Sequence, residues 1–409
     1  MKISLAITAT CLVLLLSCRD NLDSKVIVHT IEAQPEHARD LKMSDLFDNP
    51  RFIELEKSSK SLVGAIRKIE VTERFIVILN DRPDFTINVF TKDGKHLSTF
   101  NKYGNGPCEY NSPQFIIVND SDSTIELQPP TTGNLIKYNI YGECLESTKL
   151  PVFGMEGIKL SDDLYALYVS GVVTLDQNKL IDRNLIIVNK NTDIEASYLA
   201  FNSESGPAFR TTSRDNFVSN EEGIFLALSC YDTIYQLSED GSTLTPKYYF
   251  DYGSHNVPKE LYSKPYPHVG HYNRAVIEKD CIIAFLNHRI FNSSMFFSYN
   301  YGEKADLYLG MHWFKDDSTV IGNRICNDFL GEFYFRKPKY SDLPYASYGN
   351  DIFLCVEPLV LKKIHENAKE LLNDKQYNIW LKKYSRIKEL LDSQQGDANP
   401  ILLVLNPRS

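Results

Sequence analysis

Several chemistries are missing from this 409-residue sequence, and each absence narrows what it can be. It has no cluster of basic residues: 53 Asp and Glu stand against 44 Lys and Arg, a net charge of −9. That argues against nucleic acid as a partner, because neutralising phosphates supplies most of such affinity. No G-x-S-x-G elbow marks a nucleophile, and no H-E-x-x-H frame offers a pair of metal-binding histidines. The glycine-containing stretch Gly104 to Tyr110 has neither a following helix nor the Lys-Ser/Thr of a phosphate cradle. There is no C-x-x-C pair and no close spacing among the cysteines. Global disorder is excluded too, since charged residues are 24% of the chain and aromatics 12%.

The apolar run at the N-terminus, Ile3 to Leu16 after Lys2, falls short of the about 20 residues a membrane span needs. It has the shape of a secretory signal peptide instead. It ends in Leu15-Leu16-Ser17-Cys18, which resembles the bacterial lipobox, with polar Arg19-Asp20-Asn21 following abruptly. The resemblance implies cleavage before Cys18 and a lipid on its sulfur, which would hold the protein to a membrane surface of the bacterial envelope, on the outer membrane. Residues 1–17 are then the signal, 18–45 a lipid-anchored tether and 46–409 the folded unit. The mature chain would have 392 residues (409 minus 17), and loss of Lys2 takes the net charge from −9 to −10.

What is present is a repeat. Asn88 to Tyr110 reads as a strand, an Asp93-Gly94 hairpin turn, a second strand and a glycine-containing exit loop. The pattern places strands at Ile66–Val71, Phe75–Leu79, Thr86–Phe90 and His96–Phe100, then at Phe115–Val118, Thr124–Leu127, Leu135–Tyr138 and Cys144–Lys149. A third unit has Gly157–Leu160, Leu164–Val169, Asn184–Val188 and Glu195–Leu199; a fourth has Gly223–Leu228, Thr233–Leu237 and Leu244–Phe250. Equivalent third-strand positions recur after 48 residues (Phe90 to Tyr138), 50 (to Val188) and 47 (to Tyr235). Four-stranded units at that period predict an all-β fold, a six-bladed β-propeller of four-stranded antiparallel blades.

A fifth blade is expected from Tyr272–Val276, Cys281–Leu286, Ser293–Tyr299 and Ala305–Leu309, and a sixth from Thr319–Ile321, Ile352–Val356 and Ile401–Leu405. A helical insertion at about 358–395 interrupts the last blade. Leu361, Ile364, Ala368 and Leu371 suggest a first helix. Tyr377, Trp380, Tyr384, Ile387 and Leu391 step by 3, 4, 3 and 4 along a second that starts at Asp374, a docked core face. Phe52–Leu55 is the natural partner of Ile401–Leu405, closing the ring and covering two sheet edges. Of eight cysteines, Cys11 leaves with the signal and Cys18 takes lipid. Cys108, Cys144, Cys230, Cys281, Cys326 and Cys355 remain, mostly in apolar strand-like runs, and are expected as buried thiols.

In this order, several short motifs resemble a known family, the six-bladed, NHL-like propeller lipoproteins of Bacteroides-type bacteria. They are the lipobox, Leu62-Val63-Gly64-Ala65-Ile66, Val89-Phe90-Thr91-Lys92-Asp93-Gly94-Lys95, Ile321 to Asp328 and Asn399-Pro400-Ile401-Leu402. The loop Gly104-Asn105-Gly106-Pro107-Cys108-Glu109-Tyr110 resembles the family's G-x-G-P-G-E-Y, with Cys108 where the pattern has glycine. The resemblance implies a propeller that binds peptides, glycans or other proteins, and it assigns no catalytic residue.

Inner strands line a propeller's axis, so polar residues at their starts are the candidate ligand contacts: Arg67, Gln114, Glu156, Arg214, Arg274 and Arg324. Several arginines there would suit an anionic sugar, carboxylate or phosphate, and the 24 tyrosines could supply a glycan-stacking surface. The leading expectation is a non-catalytic binding or scaffolding propeller without cofactor or metal. The rival is a metal-assisted hydrolase or lyase using Ca²⁺ or Zn²⁺ at His268 and His271 with channel carboxylates. Other histidines, His255, His288 and His312, stand apart in the sequence.

Overall fold

A computed structural model describes residues 28–408, apart from 84, 131, 171–173, 177–178, 192, 202–214 and 394–397. The predicted hairpins form as read. The first sheet is Ile66–Val71, Phe75–Asn80, Ile87–Thr91 and His96–Phe100. The second is Ile116–Asn119, Thr124–Leu127, Asn134–Asn139 and Cys144–Lys149. Gly94 makes the first outer turn possible: its φ is +90°, and a Cβ there would lie 2.3 Å from the Glu54 carbonyl oxygen of the neighbouring sheet.

The third sheet is Glu156–Lys159, Leu164–Tyr168, Arg183–Asn189 and Ile194–Ala200. The fourth adds an inner strand, Phe217–Asn220, to Gly223–Ala227, Thr233–Leu237 and Leu244–Asp251. The fifth is Ala284–Ile290, Ser294–Tyr301, Asp306–Trp313 and Ser318–Cys326. The sixth is Ala346–Tyr348, Asp351–Val356, Ile401–Pro407 and, from the other end of the chain, Phe47–Glu54. Among the described residues these are six sheets of four or five strands, with one two-stranded ribbon besides.

The sheets stack as the blades of a propeller because each buries apolar side chains on both faces. In Phe75–Asn80 every residue is buried. Phe75, Val77 and Leu79 pack into a core shared with the second sheet, through Ile116, Ile125 and Ile136. Ile76 and Ile78 turn the other way, against Phe353, Leu402 and Val404 of the sixth. Similar cores fill each remaining gap, between the second and third sheets, third and fourth, fourth and fifth, and fifth and sixth. The expected closure is present: Ile401, Leu402 and Leu403 pair antiparallel with Glu54, Ile53 and Phe52.

Five local expectations are corrected. Tyr272–Val276 is not a strand but part of the helix Val269–Glu278, whose Tyr272 and Val276, four residues apart, share its buried face. The inner strand of the fifth sheet is therefore Ala284–Ile290, and Thr319–Ile321 belongs to that sheet's outer strand, paired with Gly310–His312. The insertion is three helices, Pro358–Leu371, Asp374–Lys383 and Ser385–Ser393. The helix thus breaks at Tyr384, although Trp380, Ile387 and Leu390 still share a core with Leu361 and Ile364. The N-cap is Asn373, whose side chain accepts from the Gln376 N–H, and not Asp374. Residues 28–45, read as part of a tether, are folded onto the ring. His29–Glu32 pairs parallel with Tyr248–Asp251, and Arg39–Lys42 runs parallel to Gly322–Cys326. Ile31, Ala33 and Leu41 are fully buried there.

The cysteine expectation is corrected as well. Cys230, Cys281 and Cys326 are buried and unbridged, but Cys108 and Cys144 form a disulfide across 36 residues. The exit loop of the first sheet lies over the two outer strands of the second, where Tyr138 donates to the Cys108 carbonyl at 2.8 Å and Ser147 to the Pro107 carbonyl at 2.6 Å. This explains the cysteine at the loop's glycine position. At Gly104 in the same loop a Cβ would displace the exposed Glu109 carboxylate, which accepts from the Gly106 N–H at 2.9 Å. Closing a loop of this size confers about 4 kcal/mol in the chain-entropy account. Replacing Cys108 and Cys144 together by serine is expected to cost about 2–4 kcal/mol, read as a lower denaturation midpoint; reductant should then shift the wild type but not the variant.

Candidate functional site

All six inner strands open onto one axial cavity of about 1150 Å³. Its floor is an ion network. On the first strand the ladder shifts register between Ile66 and Lys68, so Arg67 occupies a bulge and Lys68 is re-aimed to the axis. Lys68 Nζ lies 3.0 Å from Glu156 Oε1 on the third sheet and 3.4 Å from Glu70, and contacts Asp215 at the entry to the fourth. Asp215 also holds Arg289 of the fifth sheet. Lys68, Glu156, Asp215 and Arg289 are all buried, Arg289 at 2% exposure. One aspartate thus bridges two cations, and four sheets meet through their charges.

Burial and charge act differently on the members. Glu156 is pushed up to about 7, chiefly by burial; Lys68 opposes the rise and the neighbouring Asp215 reinforces it. Burial also works against the charged form of Asp215, but Arg289 and Lys68 outweigh it and hold the carboxyl below its usual range. Lys68 is raised well above the lysine range because its three carboxylate neighbours overcome its desolvation. Glu70 keeps 34% of its side chain open to the cavity, yet the surrounding protein raises it. Next to Arg289, burial and then that guanidinium lower His288 to about 3, keeping it neutral.

Of the described residues singled out from the sequence, Glu156 alone is placed at this floor. Arg67 points between blades, to Asp81 at 2.6 Å and Gln114 at 2.8 Å, with Phe85 beneath it. Arg274 is exposed on the helix Val269–Glu278. Arg324 is on an outer strand, paired with Asp40 at 3.0 Å. Arg214 and Cys18 lie outside the described residues. His268 and His271 are neighbours, 4.2 Å between ring centroids, at the exposed start of the helix where His268 accepts from the Gly270 N–H. Among the described residues no third donor joins them, and neither lines the cavity.

Lys68, Asp215 and Arg289 were missed. Lys68 adjoins Arg67, and a one-residue change of register reverses which side chain faces the axis. Asp215 precedes a strand the sequence did not reveal. Arg289 had a signal: Asn287-His288-Arg289 is a polar run inside an otherwise apolar inner strand.

Fold and cavity define an all-β propeller with a charged axial floor. The chain belongs to a family described as a domain of unknown function, DUF4934, whose model matches residues 26–406. Its structure is similar to that of a Bacteroides fragilis protein described as exported (18% identity, TM-score 0.69, covering 93% of this chain and 100% of that one). It is also similar to a DUF4221 family member from Bacteroides vulgatus (10% identity, TM-score 0.50, 89% and 98%). At these identities the likeness is one of fold. No functionally curated protein matches the chain significantly. No described helix is long and apolar enough to cross a membrane.

Two variants test the network. Asp215→Asn leaves two buried cations without their shared carboxylate and is expected to cost about 3–5 kcal/mol of stability. An acid raised in the folded state binds its proton more readily there, so Glu156 makes stability fall as pH rises from about 4.5 to about 7. In chemical denaturation across that range, Glu156→Gln should flatten this fall. Asp215, lowered, acts in a separate window: its contribution is present above its ordinary value of 3.8 and is lost as pH falls through its folded one.

Proposed function

We propose that this protein is a non-catalytic binding propeller of the bacterial envelope, a lipoprotein of six blades held at the outer membrane through Cys18. Its ligand is an uncharged or cationic polar chain, a glycan or a peptide, taken at the mouth of the axial cavity. The observation that carries this reading is the cavity itself, about 1150 Å³, with floor charges that are engaged with one another. Ligand cavities commonly measure about 300–1,000 Å³.

The floor cations Lys68 and Arg289 are already engaged with Glu156 and Asp215, and this pairing disfavours an anionic ligand. The described arginines that would have favoured one, Arg67, Arg274 and Arg324, point elsewhere. The rim offers Asn119, Ser121, Asp162, Asn220 and Glu221, hydrogen-bonding groups suited to hydroxyls or peptide amides. Tyr348 stands beside them, 40% exposed, with Lys92 Nζ 4.0 Å from its ring centroid. The disulfide supports residence outside the reducing cytosol.

Glycan and peptide arrays followed by calorimetry test this. A neutral oligosaccharide or basic peptide is expected to bind one to one, with Tyr348→Ala weakening it about tenfold, or about 1.4 kcal/mol. Turnover abolished by Glu156→Gln, or tight cavity binding of an acidic sugar, would overturn the proposal.

A further inference from the structure

We propose that His29, His312 and Asp317 form a zinc site that fastens the N-terminal strand of the chain to the fifth sheet. The three residues come from different parts of the sequence and meet at the outer edge of the ring. His29 is on the strand His29–Glu32, which extends the fourth sheet; His312 is on the strand Asp306–Trp313 of the fifth; Asp317 directly precedes that sheet's outer strand. His29 Nε2 lies 2.9 Å from His312 Nε2 and 3.3 Å from Asp317 Oδ1, and His312 Nε2 lies 3.6 Å from the same oxygen. In a tetrahedral zinc site with bonds of about 2.0–2.1 Å, neighbouring ligand atoms stand about 3.3 Å apart. The three separations bracket that edge.

The surroundings suit ligation. His312 is 1% exposed, and its other ring nitrogen, Nδ1, is 3.0 Å from the Thr319 hydroxyl, its cross-strand neighbour. A hydrogen bond from Nδ1–H to that oxygen leaves the Nε2 lone pair directed at the cluster, the arrangement in which an outer partner fixes the tautomer of a metal-bound imidazole. Tyr248 and Phe314 wall the His29 ring, and Phe314 also packs on His312. Asp317 is 72% exposed, so a zinc ion could enter from solvent and keep water as its fourth ligand. Imidazole with carboxylate is a donor set that zinc accepts. The ion would tie the edge strand of the fourth sheet to the fifth.

The test uses the untagged full chain, stripped with EDTA and titrated with zinc chloride by calorimetry, with thermal unfolding in parallel. One equivalent of Zn²⁺ should bind and raise the unfolding temperature. His29→Gln and Asp317→Asn, both at accessible positions, should each weaken binding more than about 100-fold, and Thr319→Val, which removes an outer partner, about 10–100-fold. The double variant His268→Ala/His271→Ala should keep the equivalent. X-ray absorption should show two nitrogen ligands with oxygen completing the shell. An absence of zinc binding in the wild type, or an equivalent that survives both His29→Gln and Asp317→Asn, would overturn the proposal.

Discussion

Each blade contributes apolar side chains to two cores, one on either face, and a single sheet cannot keep both faces from water. Fully burying a side chain such as Ile or Leu contributes about 1.5–3 kcal/mol, and Phe75–Asn80 obtains that contribution only between two neighbours. A row of such sheets would always end on an exposed face, so the chain bends round until the sixth sheet meets the first. The closing sheet is assembled from both ends of the folded unit, Phe47–Glu54 beside Ile401–Pro407. Closure therefore joins the two ends of the folded unit, and Phe47–Glu54 covers the edge of Ile401–Pro407 and itself becomes the outer strand of that sheet.

The ring also creates the axial cavity. Inner strands converge there with too little apolar surface opposite them to form a core, and polar residues take their place. Desolvating Lys68, Glu156, Asp215 and Arg289 is costly, and their contacts compensate that cost only while the four sheets hold them in register. The network consequently says more about how the blades are mutually placed than about net stability. At the outside, residues 29–42 perform a related task by lying parallel along the edges of the fourth and fifth sheets.

The outcome at particular residues shows where sequence reasoning holds. Ile66–Val71, Thr124–Leu127, Cys144–Lys149 and Thr233–Leu237 form as read, because hairpins are specified by alternation and by turn residues a few positions away. Tyr272–Val276 failed because a five-residue segment is too short to separate the two periods, and the fourfold spacing of its buried pair Tyr272 and Val276 was the better guide. The break at Tyr384 left the helical stripe intact, so periodicity alone could not reveal it. For the site, Arg67 was a candidate inward residue because it is polar and near the start of an inner strand, whereas a bulge put Lys68 there.

By itself, then, the sequence determined the β class, the repeat, the turns and the strand that closes the ring, all of which follow from local periodicity and chain connectivity. Tertiary structure alone decided which charges meet at the axis, that Cys108 reaches Cys144, and that His29 comes to lie beside His312 and Asp317. The physical reason is the same in each case. These contacts join residues far apart in the chain, and their geometry depends on register, bulges and blade stacking, which exist only once the ring has formed.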